Sequence, residues 1–157
     1  MVKFGEEDLS KLTDKVLKMI FSKGFQSVPE LIKFLHFNEN MPENHNLYIS
    51  NTRCNEIHLY DGKKYIIDDK DEVLETLYDN KADYLEEKYE DCEDLPKPAR
   101  KKFDRFMENK DNKKHKMRLY KTMKKLMYNN RKVPMKTRKK IELEEPKQLT
   151  IDNTKSQ

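Results

Sequence analysis

The stretch that decides the fold is residues 56–67, which read EIHLYDGKKYII. Ile57 and Leu59 occupy every second position, as in a strand that buries one face. Asp61-Gly62 follows them, a dipeptide typical of a two-residue β-hairpin turn. The residues after this turn predict the returning strand, and the run LYIS at 47–50 predicts another strand before the hairpin. We therefore expect a three-stranded antiparallel meander.

Helical periodicity surrounds the predicted sheet. Apolar residues three or four positions apart predict two helices before it and three helices after it. The expected starts of these helices are Thr13, Ser27 or Val28, Asp68 or Asp69, Pro98 and about Asn112. The fold class is therefore α+β: two N-terminal helices, a three-stranded antiparallel meander, then three helices and a flexible C-terminal tail.

Residues 1–130 are expected to form a single α+β domain, followed by a flexible tail at residues 131–157. The tail is polar and contains Pro134 and Pro146, so we expect only a partner to order it. The last predicted helix of the domain has helical spacing of its apolar residues. Its expected apolar stripe consists of Met117, Tyr120, Met123 and Met127.

The composition excludes several classes of protein. Of the 157 residues, 39% are charged and 35% are hydrophobic, which predicts a highly charged surface. The 3 glycines argue against a glycine-rich phosphate cradle, and the 2 cysteines do not form a disulfide framework. No segment approaches the roughly 18 apolar residues that span a bilayer. We expect an intracellular protein that binds no membrane, no cofactor and no metal.

Charge is distributed unevenly along the chain. Residues 1–96 hold 12 Lys or Arg and 22 Asp or Glu, a net charge of −10, whereas residues 97–140 hold 19 and 3, a net charge of +16. The remaining residues, 141–157, carry a net charge of −2. A basic block of this density repels itself unless an anion lies nearby. The acidic front of the same chain, the acidic front of another copy and nucleic acid are the three candidates.

The basic block predicts a nucleic-acid interface. On the last predicted helix, cations recur every three or four residues and can follow a phosphate backbone along one face. Tyr120 and Tyr128 lie beside them and could stack on bases. The candidate phosphate contacts are Arg100, Lys101, Lys102, Lys114, Arg118, Lys121, Lys125, Arg131, Lys132, Arg138, Lys139 and Lys140. No base-reading element stands out, so we expect non-specific, salt-sensitive binding.

Two other functions remain open. The basic block could pair with the acidic part of the same chain or of a second copy, which would make the protein a homodimer or an assembly module. The third and weakest hypothesis is a metal-dependent nuclease that uses His36, His45 or His58. Histidine–asparagine–histidine nucleases need a second histidine on the helix after a hairpin, and this chain has none there.

The histidines and asparagines of residues 36–58 have a simpler interpretation. Their side chains can hydrogen-bond the loop that connects the second helix to the sheet. Cys54 and His58 lack the two further ligands of a structural zinc site. We expect no catalytic residue, and we interpret five residues as a structural loop: His36, Asn38, Asn44, Asn46 and Asn51.

Several motifs resemble those of a known family. They are Phe4-Gly5-Glu6-Glu7-Asp8-Leu9, Val28-Pro29-Glu30-Leu31-Ile32, His36-Phe37-Asn38, the run PENHNLYISN at residues 42–51, and Tyr60-Asp61-Gly62-Lys63-Lys64-Tyr65. Over residues 3–90, and more loosely to Arg131, the chain resembles an uncharacterised domain of mimivirus-like giant DNA virus proteins. In that family the domain usually follows a zinc finger, which this sequence lacks. The family usually has Trp where this chain has Tyr65.

The resemblance implies a viral protein made in an infected host cell. It also implies an association with nucleic acid, through the zinc fingers of the relatives, and it transfers no catalytic residue. We therefore expect a non-enzymatic viral protein in the host cytoplasm, at the viral factory, or in the virion. Its expected partner is nucleic acid, with DNA favoured over RNA, and a second copy or another viral protein is the alternative.

Overall fold

The computed structural model describes the backbone of residues 1–155 and the side chains of residues 1–144. The α+β class is confirmed: two helices precede a three-stranded antiparallel sheet, and further helices follow it. The helices are α1 (Asp14–Phe21), α2 (Ser27–His36), α3 (Lys70–Glu90), α4 (Lys97–Asn109), α5 (Lys113–Asn129) and α6 (Lys132–Lys155). The strands are β1 (Leu47–Tyr48), β2 (Glu56–Tyr60) and β3 (Tyr65–Asp69). Short 3-10 turns at Gly24–Gln26 and Pro42–Asn44 lie before and after α2.

The sheet is an antiparallel meander with the strand order β1-β2-β3. Ile57 and Leu59 are buried, as their alternation along β2 predicts. The prediction of a two-residue hairpin turn is wrong, because four residues, Asp61–Lys64, connect β2 to β3. The carboxylate of Asp61 accepts hydrogen bonds from two backbone N–H groups of this loop, each at 2.8 Å. These bonds stabilise the wider turn.

Side-chain caps begin three of the helices where the sequence predicts. The hydroxyl of Thr13 accepts from the first turn of α1 at 3.3 Å, and the carboxylate of Asp69 accepts from the first turn of α3 at 2.9 Å. The amide oxygen of Asn112 accepts from two N–H groups of α5 at 3.0 and 3.2 Å. Each cap satisfies donors that a helix start leaves free, which contributes about 1 kcal/mol.

Helix α2 lies at the centre of the core and contacts α1, α3 and α5. Its buried apolar side chains include Val28, Leu31, Ile32 and Leu35. Side chains of this size stabilise a fold by about 1.5–3 kcal/mol each when fully buried. A ring contact joins α4 to α1, since the ring centroids of Phe21 and Phe103 lie 4.8 Å apart. The core therefore fixes α4 and α5, the two helices that carry much of the basic block.

Helix α6 corrects the prediction of a flexible tail from residue 131. The chain is helical from Lys132, and Pro134 is tolerated because it lies in the first turn. Thr137 hydrogen-bonds His45 at 2.7 Å, so this helix packs against the loop before the sheet. Residues 132–144 are therefore part of the domain. The side chains of residues 145–157 are outside the described part of the chain, so the prediction of a flexible tail is not tested there.

Helix α5 corrects the predicted apolar stripe at one position. Leu119, Met123 and Met127 are buried, whereas Met117 is 53% exposed. The buried positions are four residues apart, and Met117 does not belong to this series. Tyr120 is only half-buried, at the edge of this face.

Candidate nucleic-acid interface

Helix α5 divides its surface between the core and solvent. Its buried face consists of Leu119, Met123 and Met127. The opposite face carries four exposed cations, here called the α5 basic stripe: Lys114, Arg118, Lys121 and Lys125. Among the described residues, none of these four cations forms an ion pair. The stripe therefore presents unneutralised charge to solvent.

Other cations of the same region neutralise the acidic helix α3. Nζ of Lys124 lies 3.4 Å from Oδ1 of Asp71, and Nζ of Lys116 lies 3.6 Å from Oδ1 of Asp79. Lys110, at the end of α4, pairs with two further carboxylates of α3, and its hydrogen bond to one of them raises its pKa. Intramolecular pairing therefore exists, but it uses the edge of α5 that faces α3 and leaves the basic stripe free.

A groove between the first 3-10 turn and α4 carries more cations. Its apolar lining consists of Gly24, Phe25 and Pro98. Its other lining residues are Lys23, Lys101, Lys102 and Arg105. The cavity has a volume of about 520 Å³, and no carboxylate lines it. We call this cavity the Phe25 groove.

Gly24 allows the turn to approach α4 closely. Its φ is +58°, and a Cβ at this position would lie 3.1 Å from Cβ of Lys102 and 3.2 Å from its carbonyl oxygen. Glycine alone avoids both the strain and the contact. The next residue, Phe25, stacks on His115 of α5 with ring centroids 5.0 Å apart and an interplanar angle of 15°. The Phe25 groove therefore adjoins the start of the α5 basic stripe.

Two of the residues predicted to contact phosphate also make local structural contacts. Nη2 of Arg100 donates to the carbonyl of Cys92 at 3.1 Å, and its guanidinium lies 5.4 Å from the ring centroid of Tyr89. Nη1 of Arg131 donates to the carbonyl of Tyr128 at 2.9 Å, and its guanidinium lies 4.0 Å from that ring. These contacts fix the orientation of both guanidinium groups but neutralise neither charge, since each uses one of five N–H donors on a neutral carbonyl.

The two tyrosines that could stack on bases are also engaged. Arg131 covers the ring of Tyr128. Tyr120 meets Tyr78 edge-on, with ring centroids 5.7 Å apart and an interplanar angle of 87°. Tyr120 therefore lies toward the acidic helix α3, away from the α5 basic stripe.

Arg138, a third predicted phosphate contact, anchors α6 on the sheet. Its Nη1 donates to Oη of Tyr48 at 2.7 Å and to Nδ1 of His58 at 3.2 Å. Its Nε donates to Glu142 at 2.7 Å. The guanidinium also lies 4.9 Å from the ring centroid of Tyr65. Its planar set of donors thus joins the helix to two strands.

Ser50 and His58 form a pair that has the distance of a catalytic dyad but the wrong proton arrangement. Oγ of Ser50 lies 2.9 Å from Nε2 of His58. Arg138 can only donate, so Nδ1 of His58 holds a lone pair and Nε2 carries the proton. His58 therefore donates to Ser50, whereas a nucleophilic serine needs a histidine that accepts its proton. The pair does not support nucleophilic catalysis.

The remaining predicted cations lie on the exposed surface of α6. Lys132 and Lys140 line a second groove, together with Glu39 and with Lys136, a lysine that was not among the predicted contacts. Lys139 is exposed as well. Because a carboxylate lines this second groove, it is less uniformly basic than the Phe25 groove.

The loop after α2 is a hydrogen-bonding network. Nδ1 of His36 lies 2.8 Å from Oδ1 of Asn46 and 3.1 Å from the carbonyl of Asn44, so this nitrogen donates to both. Asn44 exchanges two hydrogen bonds, each of 3.0 Å, with the backbone of Asp8. Nδ2 of Asn46 donates to the carbonyl of Val2 at 3.3 Å. These bonds hold the N-terminal segment against the loop.

The side-chain oxygens of Asn38 and Asn51 accept hydrogen bonds from the backbone N–H groups of Asn40, at 3.0 Å, and of Arg53, at 2.8 Å, and their carbonyl oxygens make further contacts. The carbonyl of Asn38 lies 2.6 Å from Nε2 of His45, whose other nitrogen bonds Thr137 of α6. The carbonyl of Asn51 accepts from Nζ of Lys70 at 3.3 Å. The two asparagines thus connect the sheet region to α6 and to the start of α3.

Three ionisable groups are buried beside this loop. His36 is fully buried, Lys81 is 8% exposed, and the side chain of Glu7 is 5% exposed. Burial, and then the charge of Lys81, lower the pKa of His36 to about 4. Burial raises the pKa of Glu7, but its electrostatic interactions with His36 and Lys81 and its backbone hydrogen bonds outweigh burial, and the pKa lies below its usual value. Burial also lowers the pKa of Lys81.

Within the described residues, no group of three or more His, Cys, Asp or Glu is arranged to hold a metal ion. The same part of the chain has no helix that is long and apolar enough to cross a membrane. The histidines of the nuclease hypothesis make their hydrogen bonds to protein groups: His36 to the loop, His45 to Thr137, and His58 to Arg138.

Comparison with known proteins gives no match to a protein-family model, to a curated protein or to a solved structure. The site is therefore defined by its own geometry. Sequence reasoning missed three of its residues, Lys23, Phe25 and Arg105, because only packing brings the 3-10 turn onto α4. The available signal is the tripeptide Lys23-Gly24-Phe25, in which a glycine turn places an aromatic ring beside a cation.

Proposed function

We propose that this protein is a non-enzymatic nucleic-acid-binding protein whose α5 basic stripe contacts the phosphate backbone. The observation that carries the proposal is the division of α5. Lys116 and Lys124 pair with α3, whereas the stripe is exposed and forms no ion pair among the described residues. Cations of this kind favour phosphate, because contact releases the counterions that are condensed on the nucleic acid.

The dimensions of the stripe suit a phosphate backbone. The stripe extends over 12 residues of α5, from Lys114 to Lys125, so its ends lie roughly 16 Å apart at the rise of a helix. A strand of B-form DNA carries one phosphate about every 3.4 Å of helix axis, so the stripe is long enough to reach several successive phosphates. Lysine binds phosphate as a point charge without fixed geometry, which favours non-specific contact.

The proposal includes a viral role. The resemblance of residues 3–90 to the giant-virus domain supports a viral protein that acts in the host cytoplasm or in the virion. DNA is the favoured partner because that family belongs to DNA viruses. The loop of His36, Asn44 and Asn46 supports the fold in this proposal, since its side chains bond the N-terminal segment.

The test is a salt series of binding to a labelled random duplex and to a labelled single strand. Wild-type protein should lose affinity steeply as salt rises. The charge-reversed variant of the four stripe residues, Lys114→Glu, Arg118→Glu, Lys121→Glu and Lys125→Glu, should not bind at low salt. Full binding by this variant contradicts the proposal.

A matched control variant distinguishes the effect of the α5 basic stripe on binding from the effect of the total net charge. Four exposed lysines on other elements can be reversed together: Lys3→Glu, Lys15→Glu, Lys63→Glu and Lys64→Glu. This control changes the net charge by the same amount and should keep most of the binding. If it loses as much affinity as the stripe variant, total charge rather than the stripe determines binding, and the proposal fails.

Assembly is a second candidate function, favoured by the exposed acidic surface of α3. Glu72, Glu75, Glu87 and Glu90 are exposed on this helix. The basic stripe of one copy could engage this surface on another copy. Light scattering on the same samples separates the two functions. A stable dimer or larger species that binds no nucleic acid at low salt would favour assembly and overturn the first proposal.

A further inference from the structure

We propose that the Phe25 groove binds one base of a single-stranded nucleic acid while its cations hold the neighbouring phosphates. This inference rests on the proposed function and deepens it. The α5 basic stripe contacts any phosphate backbone, whereas the groove would make the protein prefer single strands to duplexes.

The charge around the groove complements a polyanion. Its four cations, Lys23, Lys101, Lys102 and Arg105, are all exposed. No carboxylate lines the groove. Helix α4 has two acids: Asp104 accepts a hydrogen bond from Tyr89 at 2.6 Å, on the side that faces α3, and Glu108 is exposed three residues after Arg105 but does not line the groove. The four cations therefore make a local positive field that attracts phosphate.

Phe25 supplies an apolar surface for a base. Its ring is half-buried and stacks on His115, while Phe106 meets it edge-on with centroids 6.2 Å apart. We assign a base to the opposite face of Phe25, where it would extend the stack. Stacking of one base on an aromatic side chain typically changes affinity by about 5- to 150-fold when the ring is removed. Every base has a π-face, so stacking on Phe25 does not depend on which base is present.

The size and position of the groove favour a single strand. A cavity of about 520 Å³ lies within the range of small-molecule sites and suits one nucleotide base with its sugar. The bases of a duplex are paired and stacked, so a base can enter only after it is extruded from the helix. A single strand can place one base at Phe25 and continue along the α5 basic stripe from Lys114.

The experiment compares three ligands of equal length: an oligothymidylate, the same backbone with abasic positions, and a duplex. Phe25→Leu keeps an apolar side chain in the groove but removes the aromatic ring. Phe34→Leu is the matched control, because Phe34 is also half-buried but lines a different groove, with Glu30 and Glu39. Binding is measured by fluorescence anisotropy at one low salt concentration.

The expected result is that Phe25→Leu weakens oligothymidylate binding by about 5- to 20-fold. Its binding to the abasic strand and to the duplex should change by less than about twofold, because these ligands offer no free base. The control Phe34→Leu should match wild type on all three ligands. Equal losses by Phe25→Leu on strand and duplex, or no loss at all, overturn the inference.

Failure of this inference is distinguishable from failure of the proposed function. If Phe25→Leu binds oligothymidylate as wild type does, but the stripe variant does not bind, the groove assignment fails and the proposed function stands. If wild type binds none of the three ligands, both fail. If ATP or polyglutamate displaces oligothymidylate as well as unlabelled strand does, the groove takes a free nucleotide or an acidic peptide, and the single-strand assignment fails.

Photocrosslinking on wild-type protein provides a test that needs no variant. An oligonucleotide with 4-thiothymidine is crosslinked at low salt, and the attached tryptic peptide is identified by mass spectrometry. Cleavage after Lys23 gives a peptide of residues 24–33 that contains Phe25. Crosslinks in this peptide support the groove, and crosslinks confined to α5 overturn it.

Discussion

Nε2 of His36 lies 3.6 Å from Oε1 of Glu7 and makes no hydrogen bond, although the imidazole is fully buried. Nδ1 carries the proton of the neutral ring, because it faces the oxygens of Asn44 and Asn46. Nε2 therefore points a lone pair toward a carboxylate. Protonation would create a hydrogen bond there, but burial and the charge of Lys81 oppose it.

This arrangement predicts a loss of stability in mild acid. The folded-state pKa of His36, about 4, is below the value of 6.5 for a free histidine. The unfolded chain therefore binds a proton first as pH falls. The free energy of unfolding is unaffected above the pKa of His36 in the unfolded chain, and it falls as pH decreases from about 6.5 to about 4. The depressed pKa of Glu7 adds a loss in the same direction at still lower pH.

Urea unfolding measures this loss. From about pH 7.5 to about pH 5, His36 alone should lower the free energy of unfolding by about 2 kcal/mol. A His36→Gln variant starts less stable, because it disturbs the loop, but this part of its pH dependence should disappear. If the variant shows the same pH dependence as wild type, titratable groups other than His36 cause the loss of stability in mild acid.

Removal of the Arg138 side chain should release α6 from the sheet. Arg138→Gln loses the hydrogen bonds to Tyr48 and His58 and should lower the free energy of unfolding by about 1–2 kcal/mol. Hydrogen exchange should become faster in residues 132–144, while the core of α2 keeps its protection. Lys139→Gln is the control, since this neighbour is exposed. Equal exchange in both variants would show that Arg138 does not anchor the helix.

Substitution of Gly24 should separate backbone strain from steric contact. Gly24→Ala should cost about 1–2 kcal/mol, because alanine disfavours a φ of +58° and its Cβ would lie 3.1 Å from Lys102. Asparagine tolerates this backbone region better but also has a Cβ. Thermal unfolding should therefore show both variants to be destabilised. Wild-type stability of Gly24→Asn would mean that the close approach to α4 is not required.

Two lysines of α5 that are three residues apart should behave differently toward nucleic acid. Lys121 lies on the basic stripe, whereas Lys124 pairs with Asp71 at 3.4 Å. Lys121→Gln should reduce the slope of log affinity against log salt by about 0.9, the value for one phosphate contact. Lys124→Gln should leave the slope nearly unchanged and cost at most about 0.5 kcal/mol of stability, since the pair is exposed. Equal slopes for the two variants would argue against the stripe.

Local patterns were sufficient to predict most of the fold. The alternation at Ile57 and Leu59 and the caps at Thr13, Asp69 and Asn112 depend on neighbours in sequence, and each lies where expected. Helix α6 was missed because long-range polar contacts hold its exposed, highly charged start. The contact between Arg138 and Tyr48 joins residues 90 positions apart, and no periodicity reports it.

The candidate interface was predictable only in part for the same reason. The spacing of Lys114, Arg118, Lys121 and Lys125 places them on one face of any regular helix. Sequence alone could not show that Arg100, Arg131 and Arg138 are held by carbonyls and rings. An arginine that stacks on a neighbouring tyrosine and an arginine that binds phosphate have the same sequence pattern.

Helix α3 carries exposed carboxylates and α5 carries the exposed basic stripe, so charge is unevenly distributed over the surface of these two helices. In the field of a polyanion, the molecule would rotate before contact so that the basic stripe leads and the carboxylates of α3 trail. A strand covered by such molecules would display negative charge on its outside. Covered strands would then repel one another and stay apart, whereas a uniformly cationic protein would draw them together into a condensed mass.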